Sequence, residues 1–408
     1  MNKSIVLIGC FDTKGAEFAL LRTRILERGL PVITINTGVM DTRPTFPEDY
    51  TAEEVAQIAG ISLTDLQKTP DRGYAIERMS NGATQLVRRL VSEDRVAGAV
   101  GMGGGGGTFI ALSAMQEIPF GIPKLCISTL AAKDLSRQVG AKDIVLMPSV
   151  VDIAGLNSIL CPLIEQAAAA ICAMARLEQV PARHASGCIA ISMFGNTTPC
   201  VERCSQLITE QGYEVFTFHA NGIGGRTMES LILEGIFDAV LDITTTELAD
   251  ELCGGICSAG ANRMQAAAQL NIPQVVVPGC LDMVNFGHPD TVPASFKQRH
   301  LYSWAPDVTL MRTNAAENNW LGTHLAQQIN RSAGPVAVVL PLKGLSQLDT
   351  EGGIFFEPQV DKVLFDAIKA TVSPRVTVVE SDAHINDRAF AELLVTSLLA
   401  LIESKKRT

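Results

Sequence analysis

The chain has 408 residues, 47% of them apolar, 19% charged and 5% aromatic, with a net charge of -10. That length exceeds a single hydrophobic core, so two domains are expected, and the apolar content excludes disorder. The acidic balance excludes a chain-wide electrostatic footprint for nucleic acid.

The first predicted strand is "SIVLIG" (4–9), close enough to the N-terminus that no signal peptide is expected. Strands follow at "PVITIN" (31–36), "VAGAVG" (96–101), "PKLCIS" (123–128) and "DIVLM" (143–147), with helical spacing in "AEFALLRTRILERG" and "NGATQLVRRLVSE" between them. Near-continuous apolar strands separated by helices predict a parallel sheet covered on both faces. The stretch 41–72 is polar and proline-punctuated, with one short helix expected after Thr51. It reads as an excursion, a flap over a site or part of a subunit contact. "LNSILCPLIEQAAAAICAMA" is broken by Pro162 and Glu165, so it predicts a buried helix and no membrane span.

A linker is expected at 177–187, after which the alternation restarts. Strands are predicted at 188–194, 214–218, 239–243, 273–278, 308–312, 335–341 and 375–380, and a C-terminal helix ends in lysines, as its dipole prefers. The fold class is therefore α/β: two tandem Rossmann-like, doubly wound domains with mainly parallel sheets, at 1–180 and 187–408. The ten cysteines fit a reducing compartment. Most sit in apolar runs, and the pairs Cys200/Cys204 and Cys253/Cys257 lack the usual zinc spacing. A cytoplasmic protein without membrane attachment is expected.

In doubly wound sheets, ligands sit outside the carboxyl ends of the strands. In the first half these ends carry Asp12, Thr13 and Lys14, then Asn36, then the run Gly103, Gly104, Gly105, Gly106, Gly107 with Thr108, then Ser128 and Thr129. "GMGGGGGT" fits the P-loop pattern except that Gly107 stands where the lysine belongs. Backbone N–H groups at a helix start suit an anion. Lys14 is expected to supply the missing charge, and Thr13, Thr108 or Asp12 to hold Mg2+. The dinucleotide pattern also matches inside the run, but the next strand ends in Ser128-Thr129 and lacks the acid that a ribose needs. A mononucleotide is favoured over NAD. The plain alternatives are a flexible turn for the glycines and an N-cap for Asp12.

The second half offers Asn196, Thr197 and Thr198, then His219 with "GIGGRT" and Arg226, then Glu247, Arg263, Asp282 and Arg312. His219 is the expected acid/base group, with Glu247 and Asp282 as partners or metal ligands. Arg226, Arg263 and Arg312, with the Asn-Thr-Thr turn, suit a carboxylate or phosphate substrate, and "GIGGRT" a second anion nest. Against this, "TTTELADEL" is also a plain capped helix start, and His219 could bond a loop carbonyl. His184, His288, His324 and His384 read as structural or surface residues.

The stretches "DTKGAE", "GMGGGGGT", "SMFGNTTPCV", "HANGIGGRTME", "DITTTELADELCGG", "PGCLDMVNF" and "PLKGLSQLDTEGG" fall in one order along the chain. In these the sequence resembles the ATP-binding domain family of the tomato mosaic virus resistance protein, over about residues 3 to 403. The resemblance implies two Rossmann-like subdomains, a homodimer, and ATP with Mg2+. Carried over by residue, ATP binding would fall on Asp12, Thr13, Lys14, the glycine run and Thr108. Plant members are implied to carry a further TIM-barrel domain, which is not expected in these 408 residues, and to inhibit a viral replication protein. The expectation is an ATP/Mg2+ enzyme acting on a small carboxylate-like substrate in an interdomain cleft. The alternatives are an ATP-stabilised dimeric regulator that binds a partner protein and, less favoured, an NAD-dependent oxidoreductase.

Overall fold

Two parallel sheets carry the chain, one in each of the units Met1–Pro181 and Ala182–Thr408. The computed structural model describes residues 3–40, 45–177 and 186–407. Residues 41–44 of the expected excursion, most of the expected linker, and His184 lie outside the described residues.

Unit 1 contains β1 (Ser4–Gly9), β2 (Val32–Asn36), β3 (Val96–Gly103), β4 (Lys124–Ser128) and β5 (Ile144–Pro148), in the order β2-β1-β3-β4-β5 with every neighbour parallel. Its helices are α1 (Gly15–Glu27), α2 (Ala52–Ile58), α3 (Leu63–Lys68), α4 (Arg72–Ser92), α5 (Gly105–Met115), α6 (Ser136–Val139) and α7 (Leu160–Ala175). All of β1 is buried because side chains alternate between two covered faces. Val6 and Ile8 pack with Val55, Met79, Leu86 and Ile110 from α2, α4 and α5. Ile5 and Leu7 pack with Phe18 and Leu21 of α1 and Leu160 and Ile164 of α7. Thr51 caps α2 with a capping box, which places this helix where the sequence puts one.

Unit 2 holds β6 (Cys188–Met193), β7 (Glu214–His219), β8 (Ala239–Thr244), β9 (Gln274–Gly279), β10 (Met283–Phe286), β11 (Leu301–Ala305), β12 (Val308–Arg312), β13 (Val336–Pro341) and β14 (Thr377–Ser381). Its helices are α8 (Thr198–Glu210), α9 (Ile223–Leu233), α10 (Glu247–Cys253), α11 (Ala266–Leu270), α12 (Ala315–Ile329), α13 (Pro358–Thr371) and α14 (Arg388–Arg407). The parallel sheet runs β14-β13-β9-β8-β6-β7. Read from β7, it repeats the strand order of unit 1 and adds one strand. Ile189 and Ile191 face α8 and α14, while Ala190 and Val240 face α9 and α11.

The α/β class with two doubly wound units is the fold the sequence implies. One strand differs in its place. Residues 308–312 join a small antiparallel sheet, β10-β12-β11, with Met283 opposite Arg312 and Tyr302 opposite Leu310. The cause is local: Pro306-Asp307 turns β11 straight back into β12, and a hairpin cannot feed a parallel sheet. No described helix is long and apolar enough to cross a membrane.

Candidate nucleotide site and a braced second unit

In unit 1, β3 ends at Gly103 and α5 starts at Gly105, with Gly104 as its N-cap. None of the five glycines has φ in the left-handed region, so conformation does not explain them. Packing explains two. A Cβ on Gly103 would lie 2.8 Å from Gly107 Cα, and one on Gly106 would lie 2.8 Å from Ile76 Cδ1. The other three have room: the nearest atoms would be 3.7 Å away at Gly104, 3.9 Å at Gly105 and 3.5 Å at Gly107. Glycine in a helix costs about 0.5–1 kcal/mol relative to alanine. The fold therefore accepts a cost at Gly105 and Gly107 that its own atoms do not require.

Beside the run lies a cavity of about 710 Å3. Gly106 and Gly107 form one edge, Cys10, Asp12 and Thr13 of the loop after β1 another, and Thr37 to Met40 after β2 a third. Leu66, Pro70, Ile76, Met79 and Ile110 make an apolar wall. The N-termini of α4 and α5 both open on it, so N–H groups without intrahelical partners and two helix dipoles favour an anion there. The excursion does form one side of the cavity, through residues 66–72.

The loops are held by their own side chains. Asp12 Oδ1 accepts from Thr13 N at 2.7 Å and Oδ2 from Met40 N at 2.8 Å. Gly38 is bare for this carboxylate, because a Cβ there would meet Asp12 Cγ at 2.3 Å. Asn36 Oδ1 accepts from Phe11 N and Gly38 N, and its Nδ2 donates to Glu48, so Asn36 is a brace between loops. Thr108 and Ser128 are buried and share a 2.6 Å hydrogen bond. Thr108 also donates to Gly103 O, and Ser128 accepts from Leu130 N. They fix the turn and leave no hydroxyl for Mg2+ or phosphate. Thr129 is exposed, with its Oγ1 next to bare Gly104.

Lys14 corrects an expectation. Its Nζ donates to Ile153 O at 2.5 Å, tying α1 to the loop after β5, and it is not among the cavity's lining residues. Among the described residues the cation on the cavity is Arg72, the first residue of α4. Cys10 lies on the same cavity. Burial pushes its thiol up, and the Lys14 and Arg72 charges oppose that rise. The sequence did carry a signal for Arg72: "PDR" marks a helix start, and a cation at the first helical position opposes the dipole.

Unit 2 differs from the expected acid/base site. Glu247 is fully buried and accepts from Gly222 N at 2.7 Å, Gly225 N at 3.1 Å and Arg263 Nε at 2.6 Å. Arg263 is equally buried, bidentate to Asp242 at 2.6 and 2.7 Å and 3.2 Å from Glu229. Glu229 also accepts the backbone N–H groups of Met264, Gln265 and Ala266. Burial works against the Arg263 charge, but the carboxylates outweigh it and hold its pKa well above normal. Arg263 and Glu247 are thus cross-braces with no face for a substrate.

Asp282 and Arg312 form a second buried cluster. Asp282 Oδ2 accepts from Ser346 Oγ at 2.7 Å. Arg312 donates to Asp361 Oδ1 at 2.6 Å and to Phe355 O at 2.8 Å, with Asp349 at 3.9 Å. Burial, then Asp349, pushes the Asp282 carboxyl up to about 7. Burial pushes Asp361 up to about 8 against the pull of Arg312.

The expected anion nest is filled by protein. A Cβ on Gly222 would lie 2.6 Å from Ser258 O, on Gly224 1.9 Å from His219 O, and on Gly225 2.1 Å from Glu247 Oε2. Thr197 bonds Thr244 Oγ1 at 2.8 Å, Thr198 donates to Phe194 O, and Asn196 is buried beside Met283. His219 and Arg226 remain exposed. The His219 ring packs 5.2 Å from Phe194, and Arg226 donates to Ser258 O at 3.4 Å. Among the described residues no hydrogen bond or ion pair joins His219, Glu247 and Asp282, and no group of three or more His, Cys, Asp or Glu is arranged to hold a metal.

The chain is 43% identical to a UPF0261 protein of Clostridium tetani, covering 99% of this chain and 100% of that one. It is 35% identical to the ToMV resistance protein Tm-1(GCR237) of Solanum lycopersicum, over 97% of this chain and 55% of that protein. A solved structure titled as a Staphylococcus aureus MnaA–UDP complex aligns over 99% of this chain and 97% of its own, at 10% identity and a TM-score of 0.23, and carries no argument here. The N-terminal domain of the uncharacterised protein family UPF0261 matches residues 3–180 and its C-terminal domain residues 186–402. Both domains being present in order, the chain belongs to the UPF0261 family.

Proposed function

We propose that unit 1 binds ATP with Mg2+ in the cavity beside the glycine run, and that the nucleotide acts on the protein's conformation and assembly. The observation that carries this reading is the bareness of Gly107 on the cavity's edge, which neither packing nor backbone conformation accounts for. Phosphates would take the N–H groups at the start of α5. The base would lie against Leu66, Ile76 and Met79. Asp12, with an exposed Thr13 beside it, fits the needs of Mg2+. That ion keeps several waters and asks for one or two carboxylates plus phosphate, so an all-protein cage is not needed.

Assembly as a homodimer and recognition of a partner protein fit a regulator that senses ATP. The burial of Glu247, Asp282, Arg263 and Arg312 favours this over catalysis by those residues. A second reading, an enzyme acting on a small anionic substrate, is supported by His219 and Arg226, which stay open to solvent after β7. Calorimetry with Mg-ATP tests the first reading. Gly107 lines the cavity and a Cβ on it would meet nothing nearer than 3.5 Å, so Gly107→Ala should keep its melting temperature and lose at least about tenfold in affinity, roughly 1.4 kcal/mol. Unchanged affinity would sink the reading. Turnover of ATP with a carboxylate panel would favour the second.

A further inference from the structure

The cavity has two walls of different origin. One is the carboxyl edge of the sheet: the loops after β1 and β2 and the start of α5. The other comes from residues 66–72 at the end of the strap that leaves β2 and returns as α4. The strap's beginning is fastened. Asp49 Oδ2 accepts from Thr34 N at 2.8 Å and Thr34 Oγ1 at 2.9 Å, and Glu48 accepts from Asn36 Nδ2. Its end meets the fixed wall across open space.

Arg72 stands at that end. It is exposed, it lines the cavity, and among the described residues it makes no ion pair. It also occupies the first turn of a 21-residue helix, where a cation is disfavoured by the dipole. A guanidinium held without a carboxylate, in a position its own helix disfavours and opposite a bare anion-binding turn, is placed for a ligand's charge. Its planar donors suit phosphate oxygens.

We propose that Arg72 reads the phosphate chain of the bound nucleotide, so that a polyphosphate, and not a monophosphate, bridges the glycine turn to the strap. This rests on the nucleotide reading above. Residues 63–74 are then the part of unit 1 whose mobility reports the phosphate count. Arg72 is a specificity residue and closes the strap only when a distal phosphate reaches it.

Mg-ATP, Mg-ADP and AMP titrated by calorimetry into the full chain, as wild type, Arg72→Gln and Arg72→Lys, test this. In the wild type, affinity should fall at least about tenfold from ATP to AMP. Arg72→Gln should erase most of that preference while changing AMP affinity less than about twofold, and Arg72→Lys should restore part of it. Hydrogen exchange in peptides covering 63–74 should slow with ATP in the wild type and not in Arg72→Gln. The proposal is overturned if Arg72→Gln weakens ATP and AMP equally, if it leaves ATP affinity unchanged, or if ATP does not slow exchange at 63–74 in the wild type. Absence of binding by all three nucleotides to the wild type would instead overturn the nucleotide reading itself, and this proposal with it.

Discussion

The runs Gly103–Gly107 and Gly222–Gly225 look alike in sequence, each lying between a strand and a helix of a doubly wound unit. They are bare for opposite reasons. In unit 2 the space beside Gly222, Gly224 and Gly225 is taken by Ser258 O, His219 O and the Glu247 carboxylate. In unit 1 the space beside Gly104, Gly105 and Gly107 is left open, and Gly107 lines a cavity. A glycine run says only that something comes close to the backbone. Whether that is the protein or a ligand depends on what the rest of the chain brings there.

The comparison is broken most forcefully at Arg263. If the second run is a packed hub, replacing Arg263 by methionine leaves Asp242, Glu247 and Glu229 buried without their counter-charge. Breaking such a cluster costs about 3–5 kcal/mol. Both tryptophans, Trp304 and Trp320, lie in unit 2, so fluorescence-detected urea unfolding reads that unit. A midpoint within error of wild type would mean that Arg263 is not a structural brace.

The second buried cluster sharpens the contrast through pH. Asp282 and Asp361 have native pKa values raised to about 7 and about 8, mainly by burial. A raised carboxyl pKa means that the native state holds more protons than the unfolded one between the ordinary carboxylate range and these values. Stability from these groups is therefore full at acid pH and is lost as pH rises from about 4 to about 8. Each extra proton contributes a slope of up to about 1.4 kcal/mol per pH unit. Asp349 Oδ1 has no donor partner, and Asp361 meets both Asp349 and Arg312. Asp361→Asn supplies an amide donor to Asp349 and keeps an oxygen for Arg312, imitating the protonated acid. The tryptophan-detected urea midpoint of wild type should fall between pH 5 and pH 8 more steeply than that of Asp361→Asn. Parallel curves would rule out a native proton on Asp361.

The layers were legible from the sequence because each central strand is an apolar run and helices such as α4, α8 and α13 keep their period. "MVNF" was not, since a four-residue strand right after β9 carries too little pattern, and the 308–312 run was sent to the wrong sheet because its hairpin partner β11 went unread. At the site, the glycine turn was legible as an anion-binding helix start. The choice of Lys14 over Arg72 was not, because strand order brings Lys14 to the sheet's edge while only the return of the strap brings Arg72. In unit 2 the charged residues stood where they were read, at strand ends beside glycines. What the sequence hid was that Arg263, Asp242, Glu247 and Glu229 satisfy one another.

The smallest effect discriminates best between the two glycine runs, because its sign differs from that of an ordinary packing mutation. Alanine at Gly225 must displace the Glu247 carboxylate, 2.1 Å from the new Cβ, and overpacking of this kind destabilises by about 1–3 kcal/mol. Alanine at Gly105 meets nothing nearer than 3.9 Å and adds a better helix former, so it should stabilise unit 1 by about 0.5–1 kcal/mol. Calorimetric unfolding and Mg-ATP titration of Gly105→Ala should then show a higher melting temperature together with weaker nucleotide binding. A glycine kept at a cost in stability, where its removal costs only binding, is one retained for a ligand. Higher stability with ATP affinity intact would leave Gly105 with neither a structural nor a binding role and return the first run to a plain turn.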